Sequence, residues 1–288
     1  LIPNGSLEKI SLTIKSKELA LVLVNVNLSP IQQRNLEKFW KVKVLDRTGL
    51  VLEIFGSRAL TKEGILQVEL AHLLHQKSRL VRSWTHLERQ RGGKGFLGGP
   101  GETQIESDRR VLASRISSIK KSIEKVSKTR KVQRNSRVRK NTFLASFVGY
   151  TNAGKSTLFN SFPNKKAKEA DRLFSTLDPF LKKCRSRNSN YVISDTVGFI
   201  QNLPTALITA FKSTLEEIKY SQLIVHIIDV SDEHAIYKSK VVYEVLEAID
   251  NSIDVKNRVI EVHNKIDLLE KYTPRPFNSL ISKSNVFQ

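Results

Sequence analysis

The sequence predicts an α/β protein with a long antiparallel helical hairpin set into it, and three observations carry that reading. Apolar residues recur at heptad spacing along two stretches separated by a run of glycines. From Thr142 onward, strand-like and helix-like segments alternate, the signature of a mostly parallel sheet. The first of those strands feeds a glycine-containing turn that opens a helix. With 288 residues, 40% of them apolar, the chain holds more than one ordinary domain and can bury a real core.

Residues 1–60 read as a small α/β subdomain. Leu19–Asn25 is a continuous apolar run of strand length and predicts a buried strand. Ser29 then places a capping hydroxyl before Pro30, so a helix is expected to about Trp40, with Val42–Leu45 as the next strand. This is too little for an independent core, and the subdomain is expected to be incomplete. The absence of methionine, where a usage near 2% predicts about six, and the start at Leu1 add to the expectation that the chain is a fragment.

Residues 61–141 predict the hairpin. Leu66, Leu70, Leu73, Leu80, Trp84 and Leu87 form one seam, and this first helix is expected to be interrupted where Lys77 sits on the seam. Ile105, Leu112, Ile116, Ile119, Ile123 and Val126 form the other. Such spacing lets helices pack side by side. Between them, Gly92–Gly101 is a stretch no helix tolerates. Its glycines allow close approach to a surface. Arg89, Arg91 and Lys94 flank Phe96 and Leu97, which predicts a tip that touches RNA; a flexible hinge with solvated charges is the alternative.

Charge is spread unevenly. Residues 1–100 carry 16 basic against 8 acidic side chains, residues 101–142 carry 13 against 4, and residues 143–288 carry 19 against 16. The front of the chain therefore suits a polyanion, with nucleic acid preferred and an anionic membrane face as the rival. Glu102, Glu106 and Asp108 early in the second helix, with Lys128, Arg130 and Lys131 late, suit its dipole, but the basic excess from Lys120 to Lys140 exceeds that need. No run has the ~20 apolar residues of a membrane span. A single cysteine, Cys184, rules out an internal disulfide framework and points to a reducing compartment: bacterial cytoplasm, mitochondrion or plastid.

Phe143–Val148 is the expected first strand of the last domain. Gly149-Tyr150-Thr151-Asn152-Ala153-Gly154-Lys155-Ser156 then matches the phosphate-binding P-loop, with Thr157 following. Backbone N–H groups and a helix start would surround the phosphates, Lys155 would supply a positive charge, and Ser156 an oxygen for Mg²⁺. A second strand, Tyr191–Ser194, ends at Asp195-Thr-Val-Gly198. Asp195 would hold Mg²⁺ through water and Gly198 would follow the γ-phosphate. Gln222–Asp229 and Val259–His263 are further strands, the latter running into Asn264-Lys265-Ile-Asp267. A carboxylate at Asp267 accepts from both the ring N–H and the exocyclic amine of guanine, an arrangement adenine leaves unpaired at a cost of ~1–3 kcal/mol. GTP or GDP with Mg²⁺ is therefore the expected ligand, and a P-loop GTPase domain, truncated at its C-terminus, the expected fold.

Phe174 and Thr176 lie where a switch segment would complete the Mg²⁺ shell, and Ser282-Lys283 where a loop would back the guanine. A water-positioning glutamine is expected just after Gly198, but Phe199 stands there and cannot polarise water. Gln201 is a weak substitute, so no catalytic residue is assigned and hydrolysis should be slow without a partner.

The combination resembles the HflX family of ribosome-associated translational GTPases. The resemblance rests on Gly98-Gly-Pro-Gly-Glu-Thr-Gln104, Asp108-Arg-Arg110, Ser29–Asn35, Val44–Gly49, Trp84–Gly93, Val148–Asn160, Leu173–Pro179 and Asp195–Ile200. It implies a factor that binds the large ribosomal subunit, points its hairpin toward the peptidyl transferase region, and separates subunits under stress; separately, a monomer is expected. It also strengthens Thr176 as a Mg²⁺ residue. ATP use is associated with the family's N-terminal region, but no second phosphate loop is present. The chain departs from the family pattern in a shortened N-terminal subdomain, a missing C-terminal domain, and an extra glycine with Phe96-Leu97 at the tip. A large-subunit assembly GTPase and a GTP-regulated RNA-binding scaffold remain the alternatives.

Overall fold

The computed structural model describes residues 2–90, 100–139, 142–162, 180–185, 190–201, 207, 210–250, 253–279, 281 and 285–287. Its chain divides into two compact units, Leu1–Gly56 with Glu69–Ile119, and Ser57–Val68 with Lys120–Gln288.

In the first unit, helix α1 (Asn4–Ser16) precedes strand β1 (Leu21–Val24), helix α2 (Pro30–Trp40), strand β2 (Lys43–Asp46) and helix α3 (Arg47–Arg58). Helix α2 starts as its sequence dictates. The Ser29 hydroxyl accepts from the Gln32 N–H while the Gln32 side chain accepts from the Ser29 N–H, a reciprocal capping box. Strands β1 and β2 pair in parallel, Val22 opposite Val44. Ile14, Trp40 and Val44 form a small core with Leu7, Ile10, Val22, Val24 and Leu36 packed on it. The Trp40 indole donates to the Leu7 carbonyl at 3.2 Å.

The expectation of a buried strand at Leu19–Asn25 is corrected here. Val22 and Val24 pack on the core, but Leu21 and Leu23 are 42% and 52% exposed. A strand alternates faces, and the described residues cover only one face of this one. Helices α1 and α3 were not anticipated; α3 buries Val51, Leu52 and Phe55.

Helices α4 (Lys62–Gln90) and α5 (Pro100–Arg139) flank the glycine-rich stretch. Leu70, Leu73, Ile116 and Ile119 of the predicted seams are buried. Arg115 on α5 reaches Glu69 on α4 at 2.6 Å, as a returning helix requires. The expected interruption at Lys77 does not occur: α4 runs through it with Lys77 exposed. A lysine on a helix surface holds its head in water without disturbing the backbone. Among the described residues, no helix is long and apolar enough to cross a membrane.

In the second unit, strands β3 (Phe143–Val148), β4 (Phe180–Arg185), β5 (Asn190–Asp195), β6 (Leu223–Asp229), β7 (Val259–Asn264) and β8 (Val286–Phe287) form one sheet in the order β4-β5-β3-β6-β7-β8. Among the described strands, β4–β5 is the one antiparallel pair; β4 had no signal in the sequence. Helices α6 (Lys155–Ser161), α7 (Lys212–Lys219), α8 (Ala235–Ile249) and the short α9 (Val255–Arg258) connect the strands. Strands β3, β5 and β6 are largely buried runs, as a covered parallel sheet demands, while β7 alternates buried and half-buried positions and buries the polar Glu261 and His263. Chain order reverses on either side of β3, so a crevice opens at the carboxyl ends of β5, β3 and β6.

Candidate nucleotide-binding site

Register brings the motifs to that crevice. Phe147 lies opposite Asp195, Val148 opposite His226, and Asp229 opposite Asn264, so the loops after β3, β5, β6 and β7 leave the sheet along one edge. Sequence order alone separates Ala153 from Asn264 by 111 positions, yet the Asn264 amide donates to the Ala153 carbonyl at 2.9 Å.

The P-loop glycines are required by what surrounds them. A Cβ on Gly149 would lie 2.4 Å from the Ile227 carbonyl oxygen. Gly154 has φ +92°, and a Cβ there would lie 2.1 Å from the Asn264 amide nitrogen. Gly154 also starts α6, whose first residues are Lys155 and Ser156.

Lys155 is buried, and its ammonium donates to the Tyr150 carbonyl at 2.8 Å. Burial lowers its pKa to about 8, with the Asp195 carboxylate pulling it upward. Ser156 donates its hydroxyl to Asp195 at 2.8 Å, and Asp195 is fully buried. These are hard oxygen donors of the kind Mg²⁺ takes, and a Mg²⁺ that also binds phosphates needs only one or two of them. Among the described residues no cluster of three or more His, Cys, Asp or Glu is placed to hold a metal. The pair therefore fits a phosphate-bound Mg²⁺, which would neutralise charge on the phosphate oxygens.

After Asp195, Thr196 donates its hydroxyl to the Phe147 carbonyl at 2.6 Å. Gly198 follows, packed so closely that a Cβ would lie 3.1 Å from the Lys155 ammonium. Phe199 is fully buried, its N–H on the Gly149 carbonyl and its carbonyl accepting from the Thr151 N–H. Its ring points into the protein and offers a water nothing.

At the other end, Lys265 adopts the left-handed conformation at φ +63° and pairs with Asp229 at 2.6 Å. Asp267 sits in a single 3₁₀ turn and is exposed, so its carboxylate is available to a base. Behind it, buried Glu261 accepts from the Tyr243 hydroxyl at 2.8 Å and the Phe277 and Asn278 N–H groups. That network braces β7 against the segment following Asp267. Asp229, Tyr243 and Glu261 were not singled out in the sequence; Asp229 carried the one usable signal, an aspartate at a strand end like Asp195.

The structure brings together Gly149–Thr157, Asp195, Gly198, Asn264, Lys265 and Asp267. Phe174, Thr176, Ser282, Lys283, Arg91, Lys94, Phe96 and Leu97 lie outside the described residues, as does the side chain of Arg89 in α4.

A mostly parallel sheet with a P-loop at its switch point, an Asp-x-x-Gly loop beside it and an Asn-Lys-x-Asp loop at the end of β7 defines the class: this is a protein of the P-loop GTPase fold. Three family models match in order: the N-terminal region of a GTP-binding GTPase over residues 1–56, its middle region over 58–137, and a 50S ribosome-binding GTPase over 145–265. The GTPase HflX of Magnetococcus marinus is 49% identical over 93% of this chain, and that of Escherichia coli 47% identical over 95%. The chain belongs to the HflX family. It spans 61% and 64% of those two relatives' lengths. A crystal structure of a GTP-binding protein from the archaeon Sulfolobus solfataricus with GDP covers 94% of this chain and 71% of that one, at 26% identity and a TM-score of 0.47.

Proposed function

We propose that this chain binds and hydrolyses GTP and uses the bound state to control attachment to the large ribosomal subunit. Residues 149–157 would cradle the phosphates, with Lys155 neutralising charge. Ser156, with Asp195 through water, would hold Mg²⁺, and Thr176 would complete its shell. Asn264 and Asp267 would select guanine. Phe174, Ser282 and Lys283 would line the nucleotide from segments the structure does not describe.

The observation that carries this reading is the joining, in one chain, of a built phosphate site to a strongly basic helical hairpin. Residues 101–142 alone carry 13 basic against 4 acidic side chains. Family membership and the match to a 50S ribosome-binding GTPase support the partner. In the GTP state the hairpin would dock on ribosomal RNA near the peptidyl transferase region through Arg89, Arg91, Lys94, Phe96 and Leu97. Docking would promote separation of the subunits. A switch works only through differential affinity, so RNA must bind the triphosphate state more tightly. Phe199 offers no polar group for a water, so hydrolysis should be slow alone and rise on the ribosome. The bacterial relatives favour bacterial cytoplasm as the setting.

Sedimentation of whole ribosomes with the protein and a non-hydrolysable GTP analogue tests this. Subunit peaks with co-migrating protein are expected. Intact ribosomes without co-migration would overturn it. Accumulated large-subunit precursors in depleted cells would point instead to assembly, and absent stimulation of turnover by large subunits to an RNA-binding scaffold.

A further inference from the structure

Among the described residues, three hydrogen bonds tie the segment after Gly198 to the loop before Lys155. Two are main-chain contacts: Phe199 N–H to the Gly149 carbonyl at 3.1 Å, and Thr151 N–H to the Phe199 carbonyl at 2.9 Å. Any side chains could accompany them. The third runs from the Gln201 N–H to the Tyr150 hydroxyl at 3.1 Å, and it needs a tyrosine.

Tyr150 is held in turn. Lys238 of α8 lies over its ring, 5.2 Å from the centroid, and pairs with Asp232. The Tyr150 carbonyl accepts the Lys155 ammonium. Tyr150 also lines a cavity of about 310 Å³ together with His226, Asp232 and Ser239, so its ring is open on that side. The hydroxyl bond and Lys238, rather than close packing all round, set where the ring sits. One residue thus touches the P-loop lysine through its backbone, the segment beyond Gly198 through its hydroxyl, and α8 through its ring.

We propose that Tyr150 is a positioning residue for triphosphate recognition: its hydroxyl clasps residues 199–201 to the P-loop and keeps Gly198 beside Lys155, ready for a γ-phosphate. The inference rests on the reading of this site as a GTP switch. Gly198 packs on the Thr151 side chain, with a Cβ there only 2.9 Å from the Thr151 methyl, so residues 198–201 and the P-loop move as one body while the clasp holds. A diphosphate ends short of Gly198 and is indifferent to the clasp. A triphosphate uses it. Without the hydroxyl bond the segment keeps its main-chain ties at Phe199 but has one tie fewer beyond it, so more of its order must be supplied when GTP binds, which weakens GTP but not GDP.

Tyr150→Phe in the full chain tests the hydroxyl alone, because the ring and its Lys238 contact are kept. Titration with fluorescent GDP and a fluorescent non-hydrolysable GTP analogue should show the analogue losing about three- to tenfold more affinity than GDP, the size of one lost hydrogen bond. A purely structural role would weaken both nucleotides in proportion and leave the ratio of their affinities unchanged, and that result overturns the proposal. Tyr150→Leu should lower the ratio at least as far as Tyr150→Phe. If only the leucine variant lowers it, the ring rather than the hydroxyl does the holding and the clasp as stated is wrong. Wild-type protein that binds neither guanine nucleotide would sink the switch reading itself, a failure distinct from an unchanged ratio in a binding-competent protein.

Discussion

Asn264 donates its side-chain amide to the Ala153 carbonyl at 2.9 Å, tying the loop placed to read a base to the loop placed to hold phosphates. The bond joins the two loops into one frame, so a base and phosphates bound as proposed would meet a spacing already set, which lowers the ordering cost of binding.

That frame leaves no room at Gly154. Gly154→Ala forces a β-carbon against the Asn264 amide in a backbone conformation that costs an L-residue roughly 1–2 kcal/mol by itself. Guanine-nucleotide affinity should fall at least about tenfold, measured by nucleotide titration. Asn264→Ala in the same background should restore part of the lost melting temperature, since it removes the obstacle, but not the affinity, since it also removes a side chain that would read the base.

Lys155 gives the site a pH dependence. Its pKa of about 8 in the folded protein is below the ordinary 10.5, because burial disfavours the ammonium. Phosphates restore the charge, so binding above pH 8 takes up a proton. GDP affinity should be flat below pH 8 and fall as pH rises from 8 toward 10.5, read by calorimetry in buffers of different ionisation enthalpy. Lys155→Ala should abolish nucleotide-dependent action and remove that slope.

His226 sets an acid limit on stability. It is buried, and burial lowers its pKa to about 4 from 6.5, against the pull of Glu261. A histidine depressed on folding contributes stability that is full above pH 6.5 and is lost as pH falls from 6.5 to 4. The shift corresponds to about 3 kcal/mol. Denaturant melts between pH 7 and 4 should show that decline, and His226→Leu should flatten it.

Asp267→Asn presents an amide donor where guanine offers donors. Base preference should move toward xanthine nucleotides, whose extra carbonyl accepts that donor, measured by competition. An unaltered preference for guanine would remove Asp267 from the site.

Shortening Gly92–Gly101 should leave nucleotide affinity intact and reduce ribosome splitting. Affinity is read by titration and splitting by sedimentation. A parallel loss of nucleotide binding would place that stretch in the nucleotide site instead.

Local pattern carried much of this molecule. The Ser29-Pro30 start of α2, the two long helices, the strands before Gly149 and Asn264, and the P-loop itself are written in near-neighbour spacing, because capping, heptad packing and glycine turns are short-range effects. Leu21 and Leu23 show where such reading stops: an apolar run says strand, but which face is covered depends on neighbours far along the chain. Tertiary structure alone decided that Gly154 must yield to Asn264, that Tyr150 meets Gln201 and Lys238, and that Glu261 gathers Tyr243, Phe277 and Asn278. Those partners are joined by sheet order and register, and burial then sets their charges, so no window of sequence contains them.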